Sequence, residues 1–518
     1  MQDFATLKTI VARNLEYHPD KIALIEGERQ LTFRQFADRT RSMGNALLAL
    51  GLKKGDRVAI LSQNSIENAE TYFSIPNAGL VLVMLNFRLA SPEILTILKD
   101  AHVSALMVNE RFMAPIEAIR DKLSFVDHFI YIGDRGKTPG GWHHYESMIE
   151  NASSDIPPAT VEEQDLAALM YTSGTTGSPK GCMGTHGNFY HIGRSLTLEM
   201  KTDETDVGIV ASPLFHATGE VVLMNCMYSG TTAVIMPAWD AEEFMRLVQA
   251  HRVSTGMIAT PMLLFLVQHP RNRDYDLSSL KKLFFAGAPV TPVVFQQAIA
   301  LFGNVFLHLF GTSETVGQIT ILRREDITRA LEQGKSEILA SCGKSFTDMQ
   351  AEVVDEFGVP VAPGEVGEIR ARGLGVTMGY WNKPEETAKV FRNGWYYPLD
   401  LCRMDADGFI YVVDRKKDMI ITGGENVYPA EVENVLYEHP VVAQAAVIGT
   451  PDEKWGEAVT AFIVKKKEMT ATAEEIMRFC KQRIAGYKTP KKILFVDALP
   501  MSVSGKILKY KLRETASL

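Results

Sequence analysis

Residues 171–181 read YTSGTTGSPKG. This stretch directly follows Ala167–Tyr171, an apolar run whose pattern predicts a strand. Its glycines let the backbone approach a ligand closely, and its hydroxyl and amide groups can surround phosphate oxygens. Lys180 adds a positive charge. The stretch therefore predicts a phosphate-binding loop that begins where a strand ends.

A flexible turn and a P-loop are the alternative interpretations of this loop. Its five hydroxyl residues, two inner glycines and terminal Pro-Lys-Gly are denser than a plain turn requires. A P-loop needs the order G-x-x-x-x-G-K-[ST]. Here Pro179 precedes Lys180 and a glycine follows it, so the P-loop pattern does not match.

Length and charge narrow the class of protein. A chain of 518 residues predicts two to four domains with large cores. Its 46% hydrophobic and 22% charged residues are typical of a soluble globular protein. The net charge of −8 argues against nucleic acid or an anionic membrane surface as a partner.

Cysteine spacing and the N-terminus point to a reducing compartment. The cysteines are scattered and never form a C-x-x-C pair, which argues against a disulfide framework and a zinc site. They are Cys182, Cys226, Cys342, Cys402 and Cys480. The N-terminus lacks a signal-peptide pattern, and the early apolar run Ala78–Leu85 is far shorter than the ~20 residues of a membrane span. We expect a cytoplasmic protein without a transmembrane segment.

The first 320 residues alternate short apolar runs with amphipathic segments, which predicts an α/β fold of stacked βαβ sheets. A predicted helix, Asp240–Arg252, opens with a D-x-x-E capping box formed by Asp240 and Glu243. The predicted strands are Val58–Leu61, Ala105–Val108, Ala167–Tyr171, Val207–Ser212, Thr232–Met236, Thr255–Ala259, Lys282–Ala286 and Val305–Phe310.

From about Ala351 the pattern predicts antiparallel strands separated by turns, that is, a β-rich subdomain finishing the large domain. Its predicted strands lie at Val353, Val361, Glu368–Arg370 and Phe409–Val413. A charged stretch, Asp414–Asp418, is the candidate linker.

Beyond the linker the pattern predicts a small α+β domain. Pro429 marks the start of one helix, and the box Thr472-x-x-Glu475 marks the start of another that stops at Gly486. Strands are predicted at Ala445–Ile448 and Ala458–Val464. The predicted domains are therefore residues 1–414 and 415–518.

The loop at residues 171–181 resembles the signature Y-T-S-G-T-T-G-x-P-K-G of the adenylate-forming superfamily of acyl-CoA synthetases, luciferases and carrier-protein adenylation domains. Further motifs of that family occur in the family's order, so the resemblance covers nearly the whole chain. It is strongest to the AMP-forming fatty-acyl-CoA ligases. The resemblance implies ATP, Mg²⁺ and coenzyme A as the small molecules bound, and a small C-terminal domain that moves.

The resemblance also implies the nucleotide site. Gly287-Ala288-Pro289 would pack on adenine, and Asp400 stands where the family has its ribose-binding aspartate. Pro398-Leu399 replaces the family's Thr-Gly, which puts the nucleotide geometry or rate in question. The implied ATP and AMP contacts are Thr172, Ser173, Gly174, Thr175, Thr176, Gly177, Lys180, Gly287, Ala288, Pro289, Phe310, Gly311, Thr312, Ser313, Asp400 and Arg415.

The remaining family motifs imply the catalytic residues and the hinge between the two domains. Glu314 would hold Mg²⁺, because that ion prefers carboxylate and phosphate oxygens, and His216 would border the acyl pocket. The stretch LPMSVSGKI at 499–507 resembles the family's terminal motif P-x-x-x-[ST]-G-K, in which Lys506 would be the catalytic lysine. The resemblance implies that Lys417 is the hinge between the domains and that Gly423 and Gly424 contact the pantetheine arm of coenzyme A.

The function implied is an AMP-forming acyl-CoA ligase acting on a small carboxylic acid. The segment after His216 and the run Val316–Ile321 suggest an apolar pocket, hence a fatty or aromatic monocarboxylate. Two alternatives stay open: a stand-alone adenylation enzyme that loads a carrier-protein thiol, and a non-catalytic ligand-binding relative. The sequence also leaves a homo-oligomer open.

Overall fold

A computed structural model describes residues 4–172, 179–286, 292–415, 420–427, 429–466, 469–500, 507 and 509–516. Several residues singled out above lie outside these ranges. They are Ser173, Gly174, Thr175, Thr176, Gly177, Gly287, Ala288, Pro289, Lys417 and Lys506.

The strands are numbered in chain order. Those of the first 240 residues are β1 (Ile22–Glu26), β2 (Arg29–Thr32), β3 (Arg57–Leu61), β4 (Val81–Met84), β5 (Val103–Asn109), β6 (His128–Ile132), β7 (His143–His144), β8 (Leu166–Thr172), β9 (Lys180–Thr185), β10 (Val207–Val210) and β11 (Thr232–Ile235). The later ones are β12 (Thr255–Ala259), β13 (Lys282–Ala286), β14 (Phe306–Phe310), β15 (Thr320–Leu322), β16 (Lys344–Ser345), β17 (Met349–Val354), β18 (Val366–Gly373), β19 (Phe391–Arg392), β20 (Trp395–Tyr396), β21 (Asp400–Met404), β22 (Ile410–Arg415), β23 (Ile420–Thr422), β24 (Glu425–Val427), β25 (Val442–Asp452), β26 (Gly456–Lys465) and β27 (Lys492–Phe495).

The α-helices are numbered in the same way. They are α1 (Leu7–Tyr17), α2 (Phe33–Ala49), α3 (Ile66–Asn77), α4 (Ser91–Asp100), α5 (Met113–Glu117), α6 (Tyr145–Glu150), α7 (His186–Met200), α8 (Ala217–Ser229), α9 (Ala241–His251), α10 (Thr260–Gln268), α11 (Pro292–Phe302), α12 (Arg324–Glu332), α13 (Pro384–Val390), α14 (Pro429–Tyr437), α15 (Ala473–Lys481) and α16 (Lys509–Ala516).

Two large sheets organise the first 345 residues. One has the strand order β16-β15-β14-β13-β12-β10-β11-β1-β2, and the other has the order β7-β6-β5-β3-β4-β8-β9. The inner strands of both sheets pair in parallel, as βαβ units require, and antiparallel strands lie toward the ends. A shared core of buried apolar residues joins helices α1–α3, α7 and α8 to strands of both sheets. The predicted α/β fold is confirmed.

Two smaller sheets follow, and both are mainly antiparallel. One joins β17–β22, in the order β19-β20-β18-β21-β22 with β17 on β18, and it is the predicted β-rich region. The other has the order β24-β23-β26-β25 with β27 on β26, and α14 and α15 pack on it. We call the part of the chain from Ile420 onward the C-terminal unit.

Most predicted elements agree with the structure, and four details were wrong. Val361 lies outside a strand. Asp414 and Arg415 end β22, so the candidate linker begins inside a strand. Helix α15 ends at Lys481, five residues before Gly486. Asp240 accepts the Glu243 amide N–H at 2.8 Å, but the Glu243 carboxylate binds Arg246 instead of closing the capping box.

The described helices include none long and apolar enough to cross a bilayer. All five cysteines are buried free thiols.

Candidate active site

The two ends of the predicted phosphate loop are held by a β-hairpin. Thr172 ends β8 and Lys180 begins β9, and the two residues face each other across the antiparallel pair. The Lys180 ammonium is nearly buried, with 8% of its side chain exposed, and lies 2.5 Å from the Glu386 carboxylate on α13. The cation expected to meet phosphate is therefore already paired with an acid.

Glu386 was not predicted as a site residue. Its hydrogen bonds from Lys180 and Lys389 lower the pKa of this carboxyl to about 2, so it stays ionised at all physiological pH values. Glu386 lies in the first turn of α13, and Pro384 at the start of that helix is typical of a helix N-terminus. No local pattern shows that its partner lies 206 residues earlier in the chain.

Glu314 lies in a short 3-10 turn, Ser313–Thr315, which begins three residues after the end of β14. The Tyr380 hydroxyl donates a hydrogen bond to its Oε1 atom at 2.5 Å. Burial and the Glu314 charge raise the pKa of Tyr380, so the phenol keeps its proton and remains a donor. Thr312 donates to the hydroxyl of a second tyrosine, Tyr396, at 3.1 Å. The two tyrosines are further residues that sequence reasoning missed.

The backbone around Glu314 is tightly folded. A Cβ atom at Gly311 would lie 2.1 Å from the Gly317 carbonyl oxygen, so only glycine fits there. Phe310 ends β14 and packs partly against the main core. Ser313 faces the cleft described below. The motif therefore presents a carboxylate and a hydroxyl on a rigid turn.

Asp400 begins β21 and is 5% exposed; its Cα position pairs with Arg415 of β22. Leu399, just before it, has a φ of 67°, in the left-handed region. A side chain in this region costs roughly 1–2 kcal/mol, and glycine avoids that cost. The chain thus adopts a glycine-type conformation at Leu399, directly before Asp400, although the glycine is missing.

His216 is the N-cap residue of α8, where its Nδ1 atom accepts the Thr218 amide N–H at 3.3 Å. Burial lowers the pKa of His216, so the imidazole is neutral at pH 7. The neighbouring Phe215 makes an edge-to-face contact with Phe87, with ring centroids 5.2 Å apart. His216 is therefore fixed by its helix and presents an uncharged ring.

Gly423 and Gly424 form the turn between β23 and β24, with φ angles of 59° and 81°. A Cβ at Gly423 would lie 2.9 Å from the Trp455 ring, so this glycine also permits close packing. Glu425, the next residue, forms an ion pair with Arg88 of the N-terminal region. This turn therefore faces the larger part of the protein.

A cleft of about 490 Å³ joins Thr172, His216 and Ser313 to Glu425. Its walls come from the N-terminal region and from the C-terminal unit. Its lining includes Met84, Asn86, Glu93, Met170, Tyr171, Thr172, Phe215, His216, Ala217, Ser313, Glu425, Glu431, Tyr487 and Lys488. Glu314, Asp400, Gly423 and Gly424 are not among its lining residues.

The donor set for a metal is sparse. Among the described residues no cluster of three or more His, Cys, Asp or Glu side chains could hold an ion. Glu314 supplies one carboxylate, which suits Mg²⁺ because that ion commonly uses one or two carboxylates together with substrate phosphates.

Comparison with known proteins identifies the family. Residues 11–381 match the family model described as AMP-binding enzyme, and residues 431–506 match the AMP-binding enzyme C-terminal domain. A feruloyl-CoA synthase from Amycolatopsis is 36% identical, covering 97% of each chain. The medium/long-chain-fatty-acid–CoA ligase FadD8 from Mycobacterium tuberculosis is 34% identical, covering 95% of this chain and 87% of its own.

Two structures of one relative, the o-succinylbenzoate CoA synthetase MenE from Bacillus subtilis, resemble this chain to different degrees. A double mutant bound to a product analogue, OSB-NCoA, has a TM-score of 0.86 at 30% identity over 98% of each chain. The complex with the acyl-adenylate intermediate has a TM-score of 0.70 at 31% identity over 97% of each chain.

Proposed function

The chain belongs to the AMP-binding enzyme family, and from that premise we propose that it is an AMP-forming acyl-CoA ligase. It joins a carboxylic acid to coenzyme A through an acyl-adenylate, with ATP as the energy source. One observation carries the proposal. The cleft connects Thr172 and Ser313, beside the predicted phosphate site, with Glu425, beside the predicted pantetheine turn. A single space can therefore serve both a nucleotide and a thiol.

The first step joins two anions, since a carboxylate must attack the α-phosphate of ATP. Lys180 and the backbone of the 172–180 loop would offset the charge of the phosphates, and Lys506 would stabilise the charge that develops. Glu314 would hold Mg²⁺, which when bound neutralises phosphate charge. The hydrogen bond from Tyr380 orients the Glu314 carboxylate for that task.

Other residues position the nucleotide in the same step. The two carboxylate oxygens of Asp400 can accept from both ribose hydroxyls, while Phe310 would stack on adenine and Arg415 would reach the nucleotide. Gly287-Ala288-Pro289 would line the adenine and acyl sites. His216, being neutral, would border the acyl group without pairing with the substrate carboxylate.

In the second step the thiol of coenzyme A attacks the acyl-adenylate and releases AMP. We propose that the C-terminal unit turns about Lys417 between the steps, so that the Gly423-Gly424 turn replaces Lys506 at the cleft. Support comes from the higher TM-score to MenE with the thioester-product analogue than with the adenylate. On that basis we propose that the present arrangement is the one for thioester formation.

The acid is an apolar monocarboxylate, fatty or aromatic. Relatives whose names specify feruloyl, indoleacetate and medium- or long-chain fatty acids support this class. The apolar side chains Met84, Met170 and Phe215 in the cleft agree with it. We further propose that the enzyme works in the cytoplasm, because its five thiols are free.

Exchange of labelled pyrophosphate into ATP tests the proposal. Exchange should depend on an added acid, and a panel of fatty and aromatic acids should identify the preferred one. No exchange with any acid would favour the non-catalytic relative. If exchange occurs, comparing coenzyme A with a phosphopantetheinylated carrier protein as acceptor separates the ligase from the carrier-loading enzyme.

A further inference from the structure

A short segment of the N-terminal region, residues 86–93, makes three polar contacts with the C-terminal unit. We call it the docking segment. Asn86 donates a hydrogen bond to the Tyr487 hydroxyl at 3.1 Å, and Arg88 forms the ion pair with Glu425. Glu93, in the first turn of α4, accepts from the Lys488 ammonium at 3.0 Å. Asn86 and Glu93 line the cleft on one side, and Glu425, Tyr487 and Lys488 line it on the other.

The last of these contacts is the most deeply buried. The Lys488 side chain is 3% exposed, and its ammonium lies between Glu93 Oε1 at 3.0 Å and Glu431 Oε1 at 2.5 Å. Burial disfavours the charge, but Tyr487 and the two carboxylates outweigh it and raise the pKa of Lys488. Lys488 is therefore a buried cation, and a buried cation that loses a partner is strongly destabilised.

The two carboxylates come from different parts of the chain. Glu431 belongs to α14 of the same unit as Lys488, so their contact travels with that unit. Glu93 lies 395 residues from Lys488, on the opposite wall. Of the two carboxylate contacts of Lys488, only the one with Glu93 must break when the C-terminal unit turns away.

We propose that Glu93 and Lys488 are positioning residues that hold the C-terminal unit against α4 while the thioester forms. The inference rests on the proposed two-step function. In the arrangement for thioester formation the buried Lys488 ammonium contacts both carboxylates. In the arrangement for adenylation, water must replace Glu93. The pair thus favours thioester formation over adenylation and sets the balance between the two arrangements.

Glu93→Gln is the informative variant, because Glu93 has a second task. Its Oε2 atom accepts the Ala90 amide N–H at 2.8 Å and so caps the start of α4. Glutamine also serves in this capping position, so the helix keeps its cap while the charge facing Lys488 is removed.

We expect Glu93→Gln to slow the reaction of preformed acyl-adenylate with coenzyme A about tenfold. This is the effect expected because Lys488 loses its hydrogen bond to the Glu93 carboxylate, a charged group. Acid-dependent pyrophosphate exchange should stay within about twofold of the wild type. Glu243→Gln is the matched control. Glu243 occupies the same position in the first turn of α9, but its partner Arg246 lies on the same helix. This control should change neither half-reaction.

Hydrogen exchange provides a readout that needs no catalysis. Glu93→Gln should speed amide exchange in residues 86–93 and 484–489, whereas Glu243→Gln should not. Equal slowing of both half-reactions, or unchanged exchange in both segments, would overturn the proposal. If the wild type shows no acid-dependent pyrophosphate exchange, the proposed function is refuted instead. The amide hydrogen exchange of the two segments would still decide whether Glu93 and Lys488 hold the C-terminal unit against α4.

Discussion

Glu220 offers a sharp test of the electrostatics of the core. It lies on α8, one turn after His216, with 0% of its surface exposed. Neither carboxylate oxygen has a hydrogen-bond partner among the described residues. Burial raises the pKa of Glu220 from its usual 4.5 to about 8. Between these values the unfolded chain has lost the proton that the folded chain keeps, so this group lowers stability as pH rises.

The magnitude follows from that difference in pKa. Each unit corresponds to about 1.4 kcal/mol, so Glu220 costs about 1 kcal/mol at pH 5 and about 3 kcal/mol at pH 7. Glu220→Gln removes the titration and leaves a neutral polar group of similar size. The variant should therefore gain stability over the wild type by about those amounts.

Urea unfolding followed by circular dichroism at pH 5, 6, 7 and 8 measures this gain. Glu332→Gln, at the exposed end of α12, is the surface control and should change the unfolding free energy by no more than about 0.5 kcal/mol. A gain for Glu220→Gln that does not grow with pH would refute the reasoning, because an acid with a raised folded-state pKa must produce that slope.

Three further predictions concern the site. Lys506→Ala should nearly abolish pyrophosphate exchange yet leave transfer from supplied acyl-adenylate to coenzyme A largely intact; equal loss of both would remove Lys506 from its proposed role. Leu399→Gly should have an unfolding free energy about 1 kcal/mol higher than that of Leu399→Ala in urea unfolding, because the φ of 67° favours glycine. A higher unfolding free energy for the alanine variant would contradict the strain at this residue. Tyr380→Phe should slow exchange about tenfold with a normal circular dichroism spectrum, because Glu314 loses a hydrogen bond to its charge; an unchanged rate would show that Tyr380 does not orient Glu314.

Much of the fold could be predicted because its signals are local. Thr255–Ala259 and Lys282–Ala286 are strands at their predicted bounds, since each is a short apolar run inside a parallel sheet. The box Thr472–Glu475 forms with both of its hydrogen bonds. The end of α15 was missed because Ile484 stays buried after the helix has stopped, so the apolar pattern continues beyond it.

The site was harder to predict because its partners are far apart in the chain. Glu386 pairs with Lys180 across 206 residues, and Tyr380 reaches Glu314 across 66. Periodicity and capping rules describe near neighbours, so they cannot identify such pairs. Leu399 shows a different limit, because the sequence does not reveal that this leucine adopts the left-handed φ of 67° that glycine favours.

Product analysis of the complete reaction tests directly whether the protein is an AMP-forming acyl-CoA ligase. The enzyme is mixed with ATP, the acid that best supports exchange, and coenzyme A, and the nucleotides and thioester are separated and quantified. We expect one AMP, one pyrophosphate and one acyl-CoA for each ATP consumed, with no acyl-CoA when ATP or the acid is omitted. Formation of ADP and phosphate, or adenylate that coenzyme A cannot discharge, would contradict it.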